Sequence, residues 1–226
     1  MTKAPEPGKV KTRLTPPLTP DEAAELNRCF LKDLAQSIAA AGKTSAGLGV
    51  AVYTPQGSEA AYVEILPPEF MLLPQRGSDF GERLIHAAED LFKLGFESVC
   101  LINSDSPTVP ASSFASAANE LAKPGDRIVL GPSEDGGYYL IGLKKLDRRI
   151  FEQIDWSTER VFQQTMGQAE KMNVPVHLLP SGFDIDDRTS LQRLWREVSD
   201  RGSSDAAKAL HTSQYLRELE RSKRLF

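Results

Sequence analysis

The sequence predicts an α/β protein: a mostly parallel mixed sheet with helices on both faces, three layers in all. Three observations carry this. Short apolar runs alternate with helix-period segments along the chain, the pattern of strand–helix crossovers. One run, Val99-Cys100-Leu101-Ile102, is unbroken by any polar residue, as expected of a strand covered on both faces. That run leads into Asn103-Ser104-Asp105-Ser106-Pro107. An acid there stands at the edge where open α/β sheets take their ligands. Two roles are open for Asp105: cap of the next helix, or ligand of a metal that carries phosphate.

The chain has 226 residues and a net charge of −4, with a pI near 5.5. The length suffices for a buried core. The acidic balance argues against a general nucleic-acid binder, which is usually basic. Its two cysteines, Cys29 and Cys100, lie far apart without CxxC spacing, so neither a disulfide framework nor a zinc site is expected. No stretch approaches the ~18 apolar residues of a membrane span. The first residues lack the apolar core of a signal peptide. A cytoplasmic protein is expected. No linker, repeat or low-complexity segment divides the chain, so it reads as one domain, 1–226, with 203–226 a helical extension.

Residues 1–18 carry Lys3, Lys9, Lys11 and Arg13 around Gly8, with prolines at 5, 7, 16 and 17. Prolines at that density make a loop. It is either a solvated basic tail or a phosphate-binding loop, in which backbone N–H groups near Gly8 approach a diphosphate and Lys11 and Arg13 neutralise it. Thr19-Pro20-Asp21-Glu22 is a capping box. It opens a helix with Leu26, Phe30, Leu34 and Ile38 at helical spacing, ended by Gly42. Gly42-Lys43-Thr44 mimics the end of a P-loop, but Ser37 stands where the motif needs glycine, so we reject it.

Strands follow at 48–53 and 70–73, with a short helix at 57–66 between them. Asp79 and Glu82 cap a helix bearing Leu84, Ala88, Leu91 and Phe92, closed by Gly95. After the Val99 strand come a helix over 110–122 and a strand over 127–130. Gly131-Pro-Ser-Glu-Asp-Gly-Gly-Tyr-Tyr-Leu-Ile-Gly-Leu143 then places Glu134, Asp135, Gly136 and Gly137 between strand patterns. Asp-Gly signals a hairpin turn, and such a turn can also line a pocket, its glycines letting backbone approach a ligand. Trp156-Ser157-Thr158 opens a helix to about Met172, and 174–179 is a strand. Asp184, Asp186 and Asp187 precede a helix with Leu191, Leu194, Trp195 and Val198; Asp187 reads as its cap. Residues 203–226 form a last helix of mixed charge, a solvated face or a homodimer contact.

The basic loop, Asp105 and the Asp184/Asp186 pair make one constellation. Mg²⁺ or Mn²⁺ prefers oxygen ligands and is commonly held by one or two carboxylates plus substrate phosphates. Such a site stabilises charge on a departing phosphate. No competing nucleophile arrangement, GxSxG, GxGxxG or HExxH occurs. His86, His177 and His211 read as structural.

Lys3–Leu14 (Lys-Ala-Pro-Glu-Pro-Gly-Lys-Val-Lys-Thr-Arg-Leu), Ser104–Thr108, Gly131–Leu143, Trp156-Ser-Thr and Asp184-Ile-Asp together resemble the DUF2064 family, grouped with glycosyltransferases of the GT-A, nucleotide-diphospho-sugar transferase fold. The resemblance spans about residues 1–198. It implies a nucleotide-sugar site with a divalent metal. Asp105 matches the metal-binding aspartate, Asp186 is the expected second ligand, and Asp184 stands behind it. Lys3, Gly8, Lys11, Arg13, Gly136 and Gly137 are expected to bind nucleotide and phosphate. Glu134 or Asp135 is expected to orient the acceptor or act as base. Lys-Thr-Arg-Leu also resembles the start of 2-phospholactate guanylyltransferases, which keeps nucleotidyl transfer with pyrophosphate release open. Two departures stand out. The apolar first strand that precedes the loop in the family is missing, which motivates a third reading as a non-catalytic nucleotide-binding protein. Asn103 stands where glycine is expected.

Overall fold

The computed structural model describes residues 1–199 and 209–222. Strands β1 (Thr2–Lys3), β2 (Val50–Thr54) and β3 (Met71–Pro74) pair in parallel in the order β1-β2-β3. Strands β4 (Val99–Ile102), β5 (Ile128–Pro132), β6 (Tyr138–Leu143) and β7 (Val176–Leu178) pair in the order β4-β6-β5-β7. Among the described strands only β6 runs against its neighbours. The Met1 backbone nitrogen donates to Ile102 O at 2.8 Å, joining the edges of the two sheets. Of the first strand expected to be missing, two residues are present: Thr2 and Lys3 pair with Tyr53 and Thr54. Two residues carry no periodicity, so sequence pattern could not show them.

The β4 run serves both faces. Val99 and Leu101 pack with Ile128, Leu130, Ile141 and Leu143 against α2 (Phe80–Lys93) and α4 (Val161–Lys171). Cys100 and Ile102 turn the other way, toward α1 (Pro20–Ser45) and α3 (Ala111–Ala122). This is the period-2 alternation of a strand between two helical layers. The expected hairpin is β5–β6.

Helix α1 has the predicted cap: Thr19 Oγ1 accepts from Glu22 N, and Thr19 N donates to Glu22. Its end differs from expectation. Gly42 lies inside the helix, which runs to Ser45 with Ala46 in a left-handed conformation. Gly42 is needed because the chain folds back over it: a Cβ there would lie 2.5 Å from Gly47 O. Two other elements are shorter than their apolar patterns. The 57–66 helix is only a 3₁₀ turn, Glu59–Tyr62. The Trp156 helix begins at Val161, because Ser157 has φ 65° and breaks the path.

Helix α5 (Arg188–Ser199) buries Leu191, Leu194 and Val198 against Leu14, Leu18, Leu26 and Phe30. Full burial of such a side chain contributes about 1.5–3 kcal/mol. Of the expected 203–226 extension, α6 (Leu210–Arg221) is described, while 203–208 and 223–226 lie outside the described residues. Leu216 and Leu219 of α6 join the same cluster. The Asp33 carboxylate accepts from two backbone amides in the first turn of α6, His211 N and Thr212 N, each at 2.8 Å. The leucine face of this helix is thus taken up within the chain. Among the described residues no helix is long and apolar enough to cross a membrane.

Candidate functional site

The basic loop is anchored by burial. Leu14 and Leu18 are almost fully enclosed in the cluster with Phe30, Ile185 and Leu191. That excludes a solvated tail for residues 11–18. Thr12–Leu14 form a 3₁₀ turn, and Lys11 just before it holds a left-handed backbone (φ 48°). This turns the Lys11 side chain inward, where it is only 5% exposed. Its ammonium lies 2.6 Å from Asp105 Oδ1, 3.2 Å from Asp186 Oδ1 and 2.7 Å from Ile185 O. The Phe30 ring lies 5.5 Å away. Arg13 is exposed, with its guanidinium 3.7 Å from Asp186 Oδ2. Lys3, at the end of β1, and Gly8, on the loop, are both exposed.

The two acidic segments are stitched together. Ile185 N donates to Asp105 O at 3.0 Å. Asp184 Oδ1 accepts from Asn103 Nδ2 at 2.9 Å and from the Ser106 hydroxyl. Asp184 therefore grips the residues on either side of Asp105. Burial pushes the Asp184 carboxyl above the ordinary carboxylate range; the Ser106 and Asn103 bonds act the other way, and the charges of Asp135 and Asp105 act with burial. Asp187 is the helix cap, accepting from Ser190 N at 2.8 Å, and its Ser190 bonds hold its carboxyl below the usual range.

The hairpin supplies the other wall. Asp135 Oδ1 accepts from Gly137 N at 2.9 Å, within the turn. Glu134 is gripped by Arg193 of α5, with Arg193 Nη2 2.9 Å from Oε1 and Nη1 against Oε2. That pairing holds the Glu134 carboxyl below its usual range. Arg193 also stacks 3.9 Å over the Phe183 ring. Gly136 has a positive φ, +88°, and its close approach is to protein: a Cβ there would lie 2.2 Å from Glu159 O. The hairpin thus abuts the Trp156–Arg160 segment.

The structure brings Lys11, Arg13, Asp105 and Asp186 to one point, with Asp184 and Asp135 beside them. Glu134 is tied to Arg193 instead. Sequence pattern missed Arg193, an ordinary exposed-type residue in a helix, whose role depends on a hairpin 59 positions away. It also left Asn103 and Ser106 without a role; their positions flanking Asp105 were the available signal.

Asp105 and Asp186 offer hard oxygen donors to a single small cation, since one ammonium already reaches both. Each side chain is more than a third exposed, so added ligands have access. This fits Mg²⁺ or Mn²⁺ held by two carboxylates with phosphate oxygens and water completing the shell. Asp184 is less open, because one oxygen already serves two donors. Among the described residues no three His, Cys, Asp or Glu side chains are grouped to hold a metal unaided.

Fold and site together define a protein of the nucleotide-diphospho-sugar transferase fold. The chain belongs to the DUF2064 family, described as an uncharacterized protein conserved in bacteria, whose model matches residues 35–158. It is similar to a crystal structure named as a "putative nucleotide-diphospho-sugar transferase" from Desulfovibrio desulfuricans G20. The identity is 33%, the TM-score 0.83, and the match covers 97% of this chain and 92% of that one. A distant likeness to the rv0371c homolog of Mycobacterium sp. strain JC1 has 16% identity and a TM-score of 0.39, over 70% of this chain and 80% of that one. No curated protein matches the chain.

Proposed function

We propose that this protein is a metal-dependent transferase that takes a nucleotide-diphospho-sugar and passes its sugar to an acceptor hydroxyl. The observation that carries the proposal is the meeting of Lys11, Asp105 and Asp186 at the carboxyl edge of the sheet, where α/β folds bind ligands. The name given to the Desulfovibrio neighbour supports it. Asp105 and Asp186 would hold Mg²⁺ or Mn²⁺, which supplies positive charge to the diphosphate as it departs. Arg13, exposed beside Asp186, neutralises phosphate oxygens. Asp184, through Asn103 and Ser106, fixes where Asp105 stands.

In the transfer, the acceptor oxygen bonds to the anomeric carbon, the bond from that carbon to the diphosphate breaks, and nucleoside diphosphate leaves. The acceptor proton goes to Asp135, whose exposed carboxylate stands on the hairpin turn. Glu134, held by Arg193, positions that turn. The test is a thermal-shift panel of nucleotides and nucleotide-sugars with and without Mn²⁺. A Mn²⁺-dependent rise in melting temperature that Asp105→Ala abolishes is expected. No shift with any nucleotide refutes the proposal. With turnover established, free nucleoside diphosphate is the expected product; pyrophosphate would mean nucleotidyl transfer instead.

A further inference from the structure

The Lys11 ammonium stands where the cation of the site belongs. Three N–H donors face three acceptors, Asp105 Oδ1, Asp186 Oδ1 and Ile185 O, which is the full complement of a lysine. The side chain is 5% exposed, while its two acid partners are 37% and 41% exposed. The lysine is therefore enclosed behind carboxylates that face outward. A divalent ion bound through the two Oδ1 atoms would compete with the ammonium for them, and one bound through the Oδ2 atoms would still lie a few ångström from a like charge. At such separations like charges repel even through strong protein screening. The two cations therefore oppose each other at this pair in this arrangement.

We propose that Lys11 is a tethered stand-in for the metal, and that a diphosphate and the divalent ion bind cooperatively because of it. The proposal rests on the transferase reading above. With the site empty, the ammonium neutralises Asp105 and Asp186 and keeps divalent ions weakly bound. An arriving diphosphate offers the ammonium new anionic acceptors, draws it off the acid pair, and opens both Oδ1 atoms to the metal. Each ligand raises the affinity of the other by the same factor, as linkage requires. No bond is made or broken; the only movement is the Lys11 side chain from one set of oxygens to another.

The test measures Mn²⁺ binding by electron paramagnetic resonance of the free ion and by calorimetry, with the full chain. Wild type, Lys11→Met, Lys11→Gln and Asp105→Asn are compared with Mn²⁺ alone and with Mn²⁺ plus GDP, UDP or ADP. Circular dichroism checks each fold, and the Gln variant serves if the Met variant does not fold. Wild type is expected to bind Mn²⁺ at least tenfold tighter with its preferred nucleoside diphosphate than without. Lys11→Met and Lys11→Gln are expected to bind Mn²⁺ alone at least tenfold tighter than wild type, with little further gain from nucleotide. Asp105→Asn should lose Mn²⁺ binding in every condition. Lys11 variants that bind Mn²⁺ alone no tighter than wild type overturn the proposal. Nucleotide binding with no Mn²⁺ binding by any variant overturns it too, and makes Lys11 the permanent cation of the site. Tighter Mn²⁺ binding by the Lys11 variants, with no nucleotide bound by any protein, supports the competition and removes the transferase reading instead.

Discussion

Gly136 and Gly125 hold nearly the same left-handed backbone, with φ of +88° and +86°. Their surroundings differ completely. A Cβ on Gly125 would meet nothing within 4 Å, whereas on Gly136 it would lie 2.2 Å from Glu159 O and 2.6 Å from Glu159 Cα. Gly125→Ala should therefore cost only the conformational penalty, about 1–2 kcal/mol. Gly136→Ala should cost that plus overpacking against backbone that cannot rotate away, about 1–3 kcal/mol more. In a chain of this length 1 kcal/mol moves Tm by about 2–4 °C. Gly136→Ala should thus melt roughly 2–12 °C below Gly125→Ala in differential scanning calorimetry. Trp156 reports the displacement locally, because it packs on Gly81 and edge-on against Phe80 at 5.2 Å. Its fluorescence should shift in the Gly136 variant and stay unchanged in the Gly125 variant. Equal melting temperatures for the two variants would refute the claim that the hairpin is braced on the Trp156–Arg160 segment.

Asp33→Ala should strip two backbone amides of α6 of their acceptor at a site only 1% exposed. Buried unsatisfied donors cost about 1–3 kcal/mol each, so urea unfolding should show a loss of roughly 2–6 kcal/mol; a loss under about 1 kcal/mol would show that α6 does not depend on this cap. Arg193→Met tests the Glu134 clamp through pH. The pairing lowers the Glu134 carboxyl from its ordinary 4.5, so its contribution is complete above that value and fades as pH falls through the folded one. Wild type should exceed the variant by about 0.2–1 kcal/mol near neutrality from this exposed pair, with the gap narrowing in acid. A gap that does not change with pH would remove the Glu134 pairing as its source and leave contacts such as the packing on Phe183.

Much of the framework was legible along the chain because it is local. The Thr19/Glu22 capping box, the Asp79 and Asp187 caps and the β5–β6 hairpin each depend on residues within a few positions. All appear where their signals stand. Where the structure departs from a local signal, a backbone contact or conformation outside that signal decides. Gly42 reads as a helix stop, but it serves the return of Gly47 over the helix. At Gly136 the sequence shows a turn glycine but not that the backbone of Glu159 packs against it. The final helix reads from its mixed charges alone, which do not show that Asp33, far away in α1, caps it and that the core takes its leucines.

By itself, then, the sequence determined the layered α/β plan and the identity of the acids at the strand ends, since hydrophobic period and turn chemistry are short-range. Only the tertiary structure decided what those acids do to one another. It set Lys11 between Asp105 and Asp186, 81 residues apart in the chain. It turned Asp184 into the clasp of the Asp105 loop and gave Glu134 to Arg193. Such pairings arise where the carboxyl ends of separate strands converge, and no spacing within a single segment encodes which charge will meet which.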